Sequence, residues 1–104
     1  MTMIEADWKV FKKLRMVALE RFSQRVLDRC QTICTNQSLT AHQRYGELYK
    51  LLQVRDKEMA PAFDDFRRST AVFCLRFMVG YGLLTEEELS KFSPETRHIA
   101  TAEL

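Results

Sequence analysis

The chain has 104 residues, 46% of them hydrophobic and 29% charged, with a formal net charge of +2. That balance excludes a disordered chain and gives, by itself, no electrostatic ground for a nucleic-acid partner. Three glycines and two prolines are too few for a turn-rich β fold and suit a few long helices in one domain spanning 1–104.

The opening Met-Thr-Met-Ile-Glu-Ala-Asp-Trp is acidic where a secretory leader would be basic. No apolar run reaches ~18 residues, so no membrane span is expected. With three cysteines and no leader, free thiols and a cytoplasmic setting are expected. Charge is uneven: residues 1–36 hold seven Lys/Arg against four Asp/Glu, and 80–104 hold two against five. Such ends attract modestly, within a chain or across a dimer.

A first helix is predicted from about Glu5 to Asn36. At 100° per residue, Ile4, Trp8, Phe11, Leu19, Phe22, Val26 and Ile33 share one face. Arg15 falls mid-stripe, among Phe11, Ala18 and Phe22, while Glu5 and Asp7 suit the positive end of the helix dipole. The pattern breaks over residues 35–40. Thr40 with Gln43 reads as a capping box, and so short a link implies an antiparallel return.

The second helix is predicted from about Ala41 to Val79. Tyr45, Leu52, Met59, Phe66 and Phe73 recur every seven residues, interleaved with Tyr49, Asp56, Phe63, Thr70 and Phe77. This reads as a packing seam. Proline inside a helix costs roughly 3 kcal/mol, so a break at residues 59–61 is the alternative. The stripe keeps its phase across Pro61 and no N-cap residue stands before it, so a continuous helix kinked there is expected. Asp64 and Asp65 would then pair with Arg67 and Arg68 on an outer face.

In a symmetric hairpin the first helix ends opposite Val72. The segment 71–84, with Arg76 its only charge, would outrun that cover and need shelter in a second copy or another protein. Phe73, Phe77, Met78 and Tyr81 are the expected interface. Gly80 and Gly82 end the helix. Thr85 with Glu88 caps a short helix, Leu84 stapling to Leu89, and Ser93-Pro94 opens another. Leu83, Leu84, Leu89, Phe92 and Ile99 can fold back over part of the apolar end.

Chemistry-bearing residues are sparse. Cys30 and Cys34 lie one turn apart with His42 past the link, but Cys74 is remote and structural zinc needs four close ligands. Glu95-x-x-His98 has the spacing of di-iron bundle sites without the required second copy. Neither completes a metal site by itself, and no cofactor is expected. Lys9, Lys12, Lys13, Arg21 and Arg25 make a phosphate-binding ridge conceivable, which keeps a nucleic-acid-associated protein as one alternative.

Arg15 and Asp56 are charges on or beside core faces. They suit a polar contact that fixes helix register, or a pocket at the seam; that pocket or the cysteines are the basis of a second alternative, a metal- or small-ligand-binding bundle. No phosphate loop, nucleophile elbow or zinc-protease motif occurs, so catalysis is not expected. The reading is an all-α protein, a long antiparallel helical hairpin plus two short C-terminal helices. It pairs into a homodimeric, four-helix-like bundle that serves as a non-enzymatic interaction or scaffold module, open to a protein partner on a helical face.

Overall fold

In the computed structural model, which describes residues 2–102, α1 spans Glu5–Cys34 and α2 spans Ala41–Phe63. Nothing interrupts α1, whose 30 residues rise about 45 Å and account for most of the 51 Å long axis. The link is fixed by the expected capping box: Gln43 N donates to Thr40 Oγ1 (3.1 Å) and Thr40 N to Gln43 Oε1 (2.9 Å). Arg44 then donates to the Cys34 carbonyl at 2.7 Å, closing the end of α1.

The continuous second helix does not form. Pro61 lies inside α2, which passes through it and ends two residues later at Phe63. Residues 64–70 turn, and α3 spans Ala71–Gly80. The turn is held at the start of α1, where Arg68 donates to the Met3 carbonyl (2.6 Å) and to Glu5 (2.9 Å). The far end of α3 returns to the middle of the hairpin: Tyr81 OH donates to the Glu58 carbonyl (2.9 Å), and Arg25 to the carbonyls of Tyr81 and Gly82. α3 therefore runs in the same sense as α1 instead of outrunning it. The reversal buries Ala71, Val72, Cys74, Leu75 and Met78 within their own chain, and that burial favours a turn over a straight helix with one apolar end in water.

The expected outer-face ion pairs change with it. Arg67 pairs with Asp65 inside the turn (2.6 Å), and Arg68 reaches Glu5. Nor is the heptad stripe a seam. Phe63 is buried and Met59 and Thr70 half-buried, but Tyr45 (69%), Tyr49 (58%), Leu52, Asp56, Phe66, Phe73 and Phe77 are exposed. The half-buried row of α2 is instead Arg44, Leu48, Leu51, Arg55 and Glu58.

The core gathers on the proximal half of α1, whose buried row is Asp7, Phe11, Leu14, Ala18 and Phe22. Ala62 and Phe63, the inner face of α3, Leu83, Phe92 and Ala100 complete it. α4 (Glu86–Leu89) begins at a second capping box, Glu88 N to Thr85 Oγ1 and Thr85 N to Glu88 Oε1. α5 (Pro94–Thr101) starts after Ser93, which accepts from Thr96 N, and packs on α3.

α3 ends in a Schellman motif. Leu83 N donates to the Met78 carbonyl and Gly82 N to that of Val79, while Met78 and Leu83 are both buried. Gly82 alone carries the positive φ, +67°; Gly80 stays helical. A Cβ at Gly82 meets nothing within 4 Å. Gly82→Ala should therefore cost only the left-handed conformation, about 1–2 kcal/mol, read as a shift of the urea midpoint with unchanged slope.

Candidate functional site

Phe73, Phe77 and Tyr81 are four residues apart and form one edge of α3, while its other face enters the core. With Arg76, Val79, Gly80 and residues 100–102 they line an open groove of about 630 Å³. Arg76 donates to the Ala102 carbonyl (3.3 Å) and ties the two walls. Phe73 is 59% and Phe77 42% exposed. Phe73 and Phe77 are thus an aromatic pair left in water beside the groove.

Met78, expected beside them, is fully buried in the core, because the reversal of the chain turns that side of α3 inward. Tyr81 is half-buried. Burial, then the neighbouring Glu58, pushes its phenol above the ordinary value. Ring centroids run Phe77–Tyr81 (6.1 Å), Tyr81–Phe22 (6.3 Å) and Phe22–Phe63 (6.0 Å), so the exposed edge is continuous with the core.

Arg15 and Asp56 are not brought together. Arg15 Nη2 donates to the carbonyl of Phe63, the last residue of α2, at 2.6 Å. Its guanidinium sits 4.5 Å from the centroid of Phe66 and 5.8 Å from that of Phe63. It closes a helix end and covers two rings, as a cation at a helix C-terminus does. Asp56 is exposed, forms no ion pair among the described residues, and lines a shallow cavity of about 240 Å³ with Leu27, Leu52 and Met59.

All three cysteines are free: Cys30 half-buried, Cys34 exposed, Cys74 buried with its thiol pushed up by burial. Among the described residues no three His, Cys, Asp or Glu side chains come close enough to hold a metal ion. His42, Glu95 and His98 are exposed. No described helix is long and apolar enough to cross a membrane.

Of the basic ridge, Arg21 and Arg25 are spent on the chain itself. Arg25 donates to Tyr81 O (2.8 Å) and Gly82 O (2.7 Å), and Arg21 to Leu83 O (2.8 Å) and Glu88 (2.6 and 3.0 Å). They cap the C-terminal end of α3 from another helix. The hydrogen bond from Arg21 holds the Glu88 carboxyl at about 2. Nothing in the sequence pattern marks a carbonyl as their target. Asp7 could have been found, since it stands four residues before Phe11 and seven before Leu14, on the buried row of α1. No protein-family model, curated protein or solved structure matches the chain significantly.

Proposed function

We propose that the protein is a non-enzymatic helical interaction module that docks as a homodimer through the Phe73–Phe77–Tyr81 edge of α3. The observation that supports this is the exposure of Phe73 and Phe77 beside the 630 Å³ groove after the chain's own tail has packed on the rest of α3. The three free thiols favour a reducing, cytoplasmic setting.

Magnitudes bound the strength. At 59% and 42% exposure, two aromatic side chains offer about 150–250 Å² of surface. A twofold contact doubles that, worth about 8–12 kcal/mol, against an association cost of about 4–15 kcal/mol. The aromatics act as anchors, and the rest of the ~800 Å² per partner of a standard interface comes from the groove walls. Such a balance gives a concentration-dependent dimer whose affinity rests on a few side chains.

Sedimentation velocity over a range of concentrations tests this. Wild type should shift towards twice the chain mass. Phe73→Glu and Phe77→Glu, both at exposed positions, should stay monomeric with unchanged circular dichroism. A wild type that remains a monomer at about 100-fold above micromolar concentration overturns the proposal.

A further inference from the structure

A second cavity, of about 450 Å³, opens between the middle of α1, the returning α2 and the end of α3. Its floor is Phe22, Val26 and the ring of Tyr81; its rim is Arg25, Arg29, Arg55 and Glu58. Three guanidinium groups against one carboxylate leave the rim at +2 (three minus one). Arg25 and Arg29 are four apart on one helix, where like charges repel, so helix stability does not account for them.

Their commitments differ. Arg25 is held by two carbonyls. Arg55 gives Nη1 to both oxygens of Glu58 and keeps its other N–H groups. Arg29 forms no hydrogen bond or ion pair with the described residues, so its planar fork of donors is free. The Tyr81 hydroxyl donates to the Glu58 carbonyl, which fixes the ring as a wall. Asp56, the nearest other acid on α2, lines the neighbouring cavity and not this one.

We propose that this cavity binds a small organic phosphate, a phosphomonoester dianion carried on an apolar or aromatic group. Arg29 and Arg55 receive the phosphate oxygens, and the body lies on Phe22, Val26 and Tyr81. A dianion matches the +2 rim, whereas a carboxylate leaves half of it uncompensated. Guanidinium forks match tetrahedral phosphate oxygens pairwise. The volume falls within the range of small-ligand pockets. Every rim and floor residue belongs to one chain, and Tyr81 alone among them also lies on the proposed dimer edge.

The test is titration calorimetry at low ionic strength with phenyl phosphate, inorganic phosphate, benzoate and a short single-stranded oligonucleotide. Phenyl phosphate should bind one per chain, about tenfold or more tighter than inorganic phosphate or benzoate. Arg29→Ala should weaken it roughly ten- to a hundredfold with melting temperature unchanged, and Lys9→Ala, elsewhere on α1, should leave it unaffected. Lack of saturable phenyl phosphate binding, an equal loss on Lys9→Ala, or tighter binding of the oligonucleotide through Arg29 would each overturn the assignment.

Discussion

Asp7→Ala is expected to lower the unfolding free energy by about 3–4 kcal/mol, with Tm falling by more than about 12 °C. Asp7 is 2% exposed and has no cationic partner among the described residues. Its oxygens instead accept from Ser93 N (2.8 Å), Ser93 Oγ (2.7 Å) and Thr96 Oγ1 (2.6 Å). These groups start α5, so one carboxylate at the first turn of α1 fastens the last helix to the first. Alanine leaves three donors facing an apolar gap and loosens α5 from α3, whose inner face it helps to cover. Asp7→Asn keeps the volume and one acceptor and should lose less, about 1–2 kcal/mol.

The pH dependence carries the same argument. Burial alone would raise the Asp7 pKa, but the hydrogen bonds from Thr96 and Ser93 together outweigh it, and the net shift is downward. A carboxyl with a lowered folded-state pKa stabilises fully above its unfolded value and loses that contribution as pH falls through the folded value. Glu88, held at about 2 by Arg21, likewise loses its contribution as pH falls towards that value. Urea melts should therefore show wild-type stability falling below about pH 4, and a shallower fall for Asp7→Ala. Equal slopes for the two proteins would show that Asp7 gains nothing from ionisation.

What the sequence discloses here follows the range of the interactions. Thr40 with Gln43, Thr85 with Glu88, and Ser93 before Pro94 act within one turn and are legible as written. The reversal at 64–70 is not. α3 begins after Thr70 without a side-chain cap, the Thr70 hydroxyl donating back to the Asp65 carbonyl instead, and the contact that ties the turn to the start of α1, Arg68 to Met3 O, spans 65 positions. The stripe kept its phase because three aromatic residues do unrelated things: Phe63 enters the core, Phe66 stacks on Trp8 at 5.2 Å from the turn, and Phe73 stands in water. The apolar excess of Phe73, Phe77 and Tyr81 is legible, but which side of α3 faces out depends on its direction, and that direction puts Met78 in the core. Arg15 stood out as a charge in a stripe; its partner, a backbone carbonyl, leaves no mark on side-chain pattern.

The second large effect separates the stripe from the core directly. Phe63 is buried where α2 ends, beside Phe22 and under Arg15. Phe63→Ala should cost about 3–5 kcal/mol, the transfer loss plus an incompletely collapsed cavity. Tyr45, at a stripe position about five turns nearer the link and 69% exposed, should cost less than about 0.5 kcal/mol as Tyr45→Ala. Had the heptads formed a seam, the two would be comparable, since each would bury one ring against α1. The comparison belongs at protein concentrations low enough to keep chains apart, where only the fold of the single chain is measured. A large loss at Tyr45 under those conditions would mean that the distal hairpin packs on the face the heptads mark; a large loss at Phe63 alone means that the end of α2 anchors it.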